Sequence, residues 1–176
     1  MVITETKLTG AFIIELEPFP DVRGFFARAW SDREFEAAGL NARWVESNIS
    51  FNKKSGTLRG MHYQSAPYEQ DKLVRCTRGR IYDVIIDLRT GSPTFKHWLA
   101  VELSAENRLM LYVPGEFAHG YLTLEEDTEV FYQTSAYFAP EHGRGIRWND
   151  PAFGIPWPTA APILIDRDRD YQDFAL

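Results

Sequence analysis

The sequence predicts an all-β fold, either a sandwich or a barrel, with one short helix. About ten short runs of apolar or alternating residues are bounded by Gly, Pro, Asn or acidic residues, a pattern typical of short strands joined by turns. Aromatic residues, which favour strands over helices, make up 14% of the 176 residues. Only one stretch carries the signals of a helix, so helices contribute little to the predicted fold.

The predicted strands follow one another along most of the chain. Alternation places every second side chain on one face, which suits the half-buried strands of sandwiches and barrels. The runs lie at residues 11–17, 44–50, 58–64, 72–77, 80–88, 97–103, 109–114, 119–124 and 128–135. The Pro-rich segment 154–162 carries Ile155 and Trp157, and we expect ordered but irregular chain there.

The one helix is predicted over residues 31–40. Ser31 is a suitable N-cap, Glu34 lies three residues further on as its capping-box partner, and Gly39 lies near the C-terminal end, where glycine commonly ends a helix. The length predicts a single domain of residues 1–176. We expect an N-terminal arm over about 1–50, a core over about 51–140 and a C-terminal segment over about 141–176.

Composition argues against several classes of function. The formal net charge is −6, which disfavours general affinity for nucleic acids or anionic membranes but allows a small anionic ligand in a local basic pocket. Cys76 is the only cysteine, so no intramolecular disulfide can form. The N-terminus has no signal-peptide pattern, and no apolar run approaches about 18 residues. We therefore expect a cytoplasmic protein.

Residues 58–64, LRGMHYQ, form the first candidate site. In a regular strand Arg59 and His62 would point to opposite faces, unless the strand is bulged or ends near His62. Gly60 lies between them and is a natural position for a bulge or for close approach of a ligand. A histidine by itself is more often a hydrogen-bonded core or rim residue. A functional role for His62 therefore depends on other reactive side chains close to it.

Three other predicted strands place a polar side chain on a face that otherwise continues as core. Lys72 begins a run whose alternate residues are apolar, although a rim lysine that reaches water is the alternative. Asp83 alternates with isoleucines, so its carboxylate needs a partner, for which Lys72 is a candidate. Tyr132 lies on a face that could point inward, where a tyrosine is usually a core residue.

The remaining polar motifs are less specific. His119 follows a Pro-Gly turn, and Arg23 begins the motif RGFF. His97 and His142 have no comparable setting, and we expect them at the surface. The run IDRDRDYQDF at 165–174 alternates aspartates with arginines and on composition alone predicts a solvated tail.

Two chemistries can be built from these residues. A histidine with a carboxylate partner, a lysine and a tyrosine suit proton abstraction next to a carbonyl, with the lysine at the enolate oxygen and the tyrosine on the opposite side. Alternatively, His62, His119 and Glu69 could form a two-histidine, one-carboxylate metal site. Spacing alone does not rank the two. The sequence contains no P-loop, no dinucleotide-binding glycine motif and no G-x-S-x-G motif.

Seven motifs occur in a specific order along the chain: DVRGFF, NISFNKKSGTLRGMHYQ, DKLVRC, SPTF, LSAEN, PGEFAHGYLTL and RWNDPAFGIPWP. Together they closely resemble the dTDP-4-dehydrorhamnose 3,5-epimerase family of bacterial nucleotide-sugar enzymes over nearly the whole chain. The resemblance implies a cupin-like jelly roll with one or two short helices and no metal or organic cofactor. It also implies a homodimer in which the arm around RGFF reaches the neighbour's site.

The resemblance further implies an isomerase that inverts C3, C5 or both of an NDP-4-keto-6-deoxyhexose through an enolate. By matched position His62 is the base, Asp168 orients it, Lys72 lies near the C4 oxygen, and Tyr132 is the acid on the opposite face. The carboxylates that could be confused with Asp168 are Asp166 and Asp170. Arg23 and Arg59 resemble contacts to the diphosphate, within an expected substrate-binding set of Arg23, Phe26, Arg59, Gln70, Asp83, His119 and Tyr137.

Four positions depart from the residues usual in this family. Arg28 and Gly143 each replace a glutamate, Phe138 replaces a tyrosine, and Gln133 replaces a lysine. The first three fall where the nucleobase is expected, and lost hydrogen bonds or a reversed charge there can change base preference. A CDP- or GDP-linked sugar is therefore an alternative. Inversion at a single centre, keto-isomerisation and a jelly roll that binds a sugar nucleotide without turnover are the others.

Overall fold

The computed structural model describes residues 1–175, and antiparallel β-sheets dominate them. One sheet has six strands, in the spatial order β1 (Val2–Glu5), β2 (Phe12–Glu15), β10 (Met110–Val113), β7 (Lys72–Arg78), β12 (Thr128–Thr134) and β5 (Glu46–Asn52). The other has five, in the order β13 (Gly143–Gly145), β6 (Leu58–Gln64), β11 (Phe117–Thr123), β8 (Arg80–Asp87) and β9 (Trp98–Ser104). The predicted all-β fold is confirmed, and of the two predicted forms it is the sandwich.

From β5 onward the chain passes repeatedly from one sheet to the other. β5, β7, β10 and β12 belong to the six-stranded sheet, whereas β6, β8, β9, β11 and β13 belong to the five-stranded sheet. Neighbouring strands within a sheet are therefore mostly distant in sequence. Side chains that are far apart in the sequence consequently meet between the sheets.

Alternation along the strands separates three packed layers. Between the sheets lies a buried core of Leu8, Ala11, Val74, Cys76, Ile81, Ile85, Leu103, Leu111, Val113, Phe117, Tyr121 and Val130. The outer face of the six-stranded sheet is covered by helix α1 (Asp32–Ala37), whose Phe35 is fully buried against Tyr112 and Trp44. The outer face of the five-stranded sheet is covered by the C-terminal segment, including Phe153 and Trp157. Burial of a side chain the size of Phe35 stabilises the fold by about 2–3 kcal/mol.

The predicted helix is present, but its predicted capping box is wrong. Ser31 has the extended backbone of an N-cap, yet its side chain makes no capping hydrogen bond. The Glu34 carboxylate instead accepts hydrogen bonds from the amino group of Met1 at 2.8 Å and from Arg28 at 3.3 Å. Hydrogen bonds from these cations stabilise a carboxylate more than a hydrogen bond from a backbone N–H would. This explains why Glu34 does not complete the capping box.

Two further short elements bear on the site. β3 (Phe19–Asp21) and β4 (Gly24–Phe26) form a separate hairpin, and Val22 at its tip is exposed. Helix α2 (Asp166–Arg169) lies within the charged run near the end of the chain and buries Asp168. The prediction of a solvated tail is therefore wrong for that residue. A 3-10 helix covers Pro140–His142, and no helix within residues 1–175 is long and apolar enough to cross a membrane.

Candidate active site

A cavity of about 230 Å³ opens between the two sheets. The five-stranded sheet contributes Arg59, His62, His119 and Tyr121, the six-stranded sheet contributes Ser50, Lys72, Val130 and Tyr132, and Arg167 comes from α2. Polar side chains therefore face one another where the apolar core of the sandwich ends. A concave site with a few convergent polar groups is the usual form of a small-molecule site.

An outer cavity of about 590 Å³ adjoins the inner one, and His62, Lys72, Tyr132 and Arg167 line both. Its other lining residues are Tyr63, Gln64, Gln70, Phe138, Pro140, Gly143, Arg144 and Tyr171. Ligand sites commonly measure about 300–1,000 Å³. The two cavities together thus suit a ligand with a small part inside and a larger part outside.

The strand β6 brings Arg59 and His62 to the same cavity through an irregularity at Gly60. The pairing of β6 with β11 shifts register opposite this glycine. Gly60 has a φ of 140°, and a Cβ there would lie 2.5 Å from Cα of Gly120. A side chain at Gly60 would therefore separate the two strands. Of the alternatives that the sequence left open, the strand is irregular at Gly60, and both polar residues line the cavity.

His62 is held by a buried carboxylate. Its Nε2 lies 2.8 Å from Oδ1 of Asp168, and Oδ2 of Asp168 accepts a hydrogen bond from the backbone N–H of Gly60 at 3.2 Å. The Asp168 side chain is 2% exposed, whereas Asp166 and Asp170 are exposed. Among the three candidate aspartates, Asp168 is thus the one that contacts His62.

The pKa values of this pair follow from burial and from the contact itself. Burial lowers the pKa of His62, and the Asp168 carboxylate only partly offsets this effect. Burial is the largest single influence on Asp168 and opposes its ionisation, but the hydrogen bond and charge of His62, the Gly60 N–H and the charge of Arg167 together lower the pKa of Asp168. At neutral pH the imidazole is therefore neutral, with its proton on Nε2 facing the carboxylate and its Nδ1 lone pair free.

Lys72 and Tyr132 approach the cavity from the opposite sheet. Tyr132 is paired with Val74, two residues beyond Lys72 on β7, so both side chains point to the interior. Burial lowers the pKa of Lys72 to about 8, although the charge of Asp83 acts against this shift. Burial also raises the pKa of Tyr132, so its phenol stays protonated. The cavity thus has an imidazole on one sheet and an ammonium and a phenol on the other.

Asp83 does not pair directly with Lys72, contrary to the prediction. Its two carboxylate oxygens lie 3.0 and 2.9 Å from Nε2 of His119, and the carboxylate is fully buried. β8 and β11 are adjacent antiparallel strands, which brings the two side chains together on the inner face. Lys72 interacts with Asp83 only through its charge.

Arg59 is oriented by a network that sequence reasoning missed. Its Nε donates to Oδ1 of Asn52 at 2.7 Å, and Nδ2 of Asn52 donates to the Tyr121 hydroxyl at 3.3 Å. That hydroxyl also lies 2.7 Å from Oγ of Ser50. The available signal was the polar alternation in the segment SNISFN of β5. Arg167 and Tyr171 were also missed, because their run has the composition of a solvated tail.

Other predicted substrate contacts lie outside the inner cavity. Gln70 lines the outer cavity and donates to the carbonyl oxygen of Ala136 at 2.7 Å. Tyr137 is exposed, and its neighbour Phe138 lines the outer cavity instead. Arg23 and Phe26 are exposed on the β3–β4 hairpin and line neither cavity of this single chain.

The structure does not bring together His62, His119 and Glu69, the residues of the alternative metal site. Within residues 1–175 no group of three or more His, Cys, Asp and Glu side chains is arranged to hold a metal ion. His62 and His119 each bond to a separate aspartate, and Glu69 lines neither cavity.

Comparison with known proteins gives a consistent result over nearly the whole chain. A family profile described as dTDP-4-dehydrorhamnose 3,5-epimerase matches residues 5–175. The enzyme of that name from Pseudomonas aeruginosa is 45% identical over 174 residues, which cover 97% of this chain and 95% of the relative.

Solved structures agree with the sequence match. The dTDP-4-dehydrorhamnose 3,5-epimerase of Bacillus anthracis, solved with TDP and PPi bound, superposes with a TM-score of 0.95 at 42% identity and covers 98% of this chain and 99% of that one. The Legionella pneumophila dTDP-6-deoxy-D-glucose-3,5-epimerase, in complex with dTDP-4-keto-L-rhamnose, gives a TM-score of 0.91 at 35% identity, covering 98% and 92%. The predicted cupin-like jelly roll is thereby confirmed.

Proposed function

We infer that this chain, which belongs to the dTDP-4-dehydrorhamnose 3,5-epimerase family, is an isomerase that inverts C3 and C5 of a dTDP-linked 4-keto-6-deoxyhexose. The observation that carries the mechanism is the arrangement of three side chains. His62 lies on one sheet, Lys72 and Tyr132 lie on the other, and all three line the same cavity. A sugar ring between them would have a base on one face and an acid on the other.

The first step is removal of a proton next to the keto group. The C4 carbonyl acidifies the hydrogens on C3 and C5, because the electron pair of the broken C–H bond moves onto O4. A neutral imidazole is required, and burial provides it by lowering the pKa of His62. With Nε2 bonded to Asp168, Nδ1 accepts the proton, and the carboxylate then stabilises the imidazolium.

Lys72 and Tyr132 complete the inversion. The Lys72 ammonium donates to the negative O4 of the enolate, in a site drier than water where this interaction is strong. Because the pKa of Lys72 is about 8, the group is charged at neutral pH. The Tyr132 phenol then protonates the carbon from the opposite face, which inverts the centre. His62 and Tyr132 regain their resting states by proton exchange with solvent.

The remaining residues would bind the nucleotide. Arg59 is fixed by Asn52 with part of its guanidinium exposed, which suits a diphosphate. The outer cavity would hold the nucleoside, with Gln70 and Phe138 in its wall. The ligands of the relatives, TDP and dTDP-4-keto-L-rhamnose, favour a dTDP-linked substrate over the CDP- and GDP-linked alternatives, despite the unusual Gly143 in this wall.

A second copy of the chain would supply the β3–β4 hairpin. Phe19 and Phe26 on this hairpin are each 66% exposed, and within residues 1–175 the Arg23 side chain hydrogen-bonds to Asp21 alone. Burial of such side chains against a neighbour is favourable. We propose a homodimer in which Arg23 and Phe26 enter the partner's site. Mixing His62→Ala with Arg23→Ala chains should then restore part of the activity, because one site per mixed dimer is complete; no recovery would refute the exchange.

Solvent exchange tests the reaction. We expect deuterium from D2O to enter C3 and C5 of a dTDP-4-keto-6-deoxyglucose probe, and entry should fall at least about 100-fold in His62→Ala. The matched control is His97→Ala, since His97 is exposed and lines neither cavity. Undiminished exchange in His62→Ala would refute the base assignment. Tight binding without exchange in the unaltered protein would favour a binding protein, and exchange at one carbon would favour single-centre inversion.

A further inference from the structure

The side chain of Arg167 lies against both members of the His62–Asp168 pair. Its Nε donates to Oδ1 of Asp168 at 3.3 Å, and its Nη2 lies 3.4 Å from Nε2 of His62. The guanidinium also lines both the inner and the outer cavity. The guanidinium thus contacts the base and the carboxylate that orients the base, and it borders the cavity where the substrate would bind.

We propose that Arg167 is a positioning residue that holds the Asp168 carboxylate against His62 and disfavours the imidazolium form of His62. The proposal rests on the proposed function, because it assigns Arg167 a role in preparing His62 as the base. Arg167 does not transfer a proton itself, since a guanidinium stays charged at any working pH.

The first part of this role is geometric. Oδ1 of Asp168 accepts from both His62 and Arg167, and Oδ2 accepts from the backbone N–H of Gly60. Three donors from two elements fix the plane of a carboxylate that is almost fully buried. Without Arg167 one of these donors is lost and the carboxylate gains freedom to rotate. The imidazole would then lose part of its orientation.

The second part is electrostatic. A fixed positive charge next to Nε2 opposes a second positive charge on the imidazole, and the charge of Arg167 contributes to the lowered pKa of His62. Loss of the guanidinium would also leave the Asp168 charge less compensated, which favours the imidazolium further. Both effects have the same sign, so removal of Arg167 should raise the His62 pKa.

The other groups around His62 would remain in place. They are Arg59 on its own strand, Lys72 on β7, Asp83 on β8, His119 on β11, Tyr132 on β12, and Asp168 and Tyr171 from the C-terminal segment. Lys72 is the second cation that lowers the His62 pKa, and it would still act in an Arg167 variant. Removal of Arg167 should therefore reverse only part of the lowering of the His62 pKa.

The same helix provides a matched control. Arg169 lies two residues further on, is similarly exposed, and pairs with Asp166 and Asp170 rather than with Asp168. It lines neither the inner nor the outer cavity. Arg169→Gln removes one positive charge from α2, as Arg167→Gln does, but leaves the contacts of the His62–Asp168 pair unchanged.

The test uses Arg167→Gln, Arg167→Lys and Arg169→Gln in the full chain. NMR titration of the four histidines in the substrate-free protein, with His62 assigned through His62→Ala, reports the imidazole directly. In Arg167→Gln we expect the His62 pKa to rise by about half to one unit. The acidic limb of kcat should move with it, so the loss of kcat approaches about three- to tenfold well below the His62 pKa and is small at pH 8, while KM changes less than about twofold.

The controls separate the alternatives. Arg167→Lys keeps a cation and should recover most of the wild-type titration, and Arg169→Gln should match wild type. An unchanged His62 titration in Arg167→Gln overturns the proposal, whether activity falls equally at every pH, as for a structural role, or KM alone rises, as for a substrate contact. A raised His62 pKa in a protein that exchanges no substrate proton would refute the proposed function but leave this proposal standing.

Discussion

Replacement of Lys72 by methionine should make the protein more stable and inactive. The lysine is charged in a site that disfavours its charge, because burial lowers its pKa from 10.5 to about 8. Methionine is also long and unbranched, so it can occupy similar space without a charge. The proposed reaction needs the ammonium at O4, and its loss should lower kcat about 100-fold or more.

The size of the stability gain follows from the pKa of Lys72. Each pKa unit corresponds to about 1.4 kcal/mol, so the difference between 10.5 and about 8 gives a cost of about 3 kcal/mol for holding the ammonium in the folded state. Below pH 8 both the folded and the unfolded chain are protonated at Lys72, and the full cost applies. Between pH 8 and 10.5 the unfolded chain binds more protons, so this contribution to stability rises with pH.

Urea unfolding of both proteins between pH 7 and pH 10 measures this effect. The free energy of unfolding of Lys72→Met should exceed that of the wild type by up to about 3 kcal/mol at pH 7, and the excess should shrink towards pH 10. Other groups that titrate in this range cancel in the difference. A variant that is less stable than wild type, or an excess that does not depend on pH, would refute the claim that Lys72 carries a destabilised charge.

Three other substitutions test separate contacts. Asp168→Asn keeps the shape of the side chain but removes the charge that fixes His62. Its kcat should fall about 10- to 100-fold with little change in KM. A rise in KM with unchanged kcat would contradict this. Asn52→Ala removes the acceptor that orients Arg59, so KM should rise about tenfold while kcat changes less, as initial-rate kinetics would report; an unchanged KM would show that Arg59 needs no such support. Gly145→Ala would place a methyl group well inside van der Waals distance of two carbons of the Tyr171 ring and should lower Tm by several degrees, whereas Gly91→Ala, with open space around it, should not; equal Tm values in both variants would refute the packing argument.

The sequence predicted the architecture well because the decisive signal is local. Alternation and turn residues located most strands of both sheets, and the glycine between Arg59 and His62 marked a natural position for the irregularity at Gly60. The inward faces of β7 and β12 also followed from alternation, which put Lys72 and Tyr132 towards the core. These features depend only on neighbours in the chain and on the period of a strand.

The failures concern contacts between residues distant in sequence. Alternation showed that Asp83 needs a partner, but the choice of His119 over Lys72 depends on which strands are adjacent. Composition predicted solvent exposure for the run that contains Asp168, yet this residue packs against His62 across 106 positions of sequence. A charged run gives no local sign that one of its carboxylates is buried. Only the resemblance to a known family singled out Asp168 in advance.

The two-sheet construction also bears on how many centres the site can invert. C3 and C5 flank the same carbonyl carbon, so one ammonium at O4 can stabilise either enolate. His62 and Tyr132 are fixed on strands of opposite sheets, and both are held by the packing of those strands. Because the hydrogens on C3 and C5 lie on the same face of a 4-keto-6-deoxyglucose ring, a base on that face and an acid on the other can serve both centres without the sugar turning over. The space around the ring, rather than the identity of the acid and the base, should decide whether one centre or two are inverted.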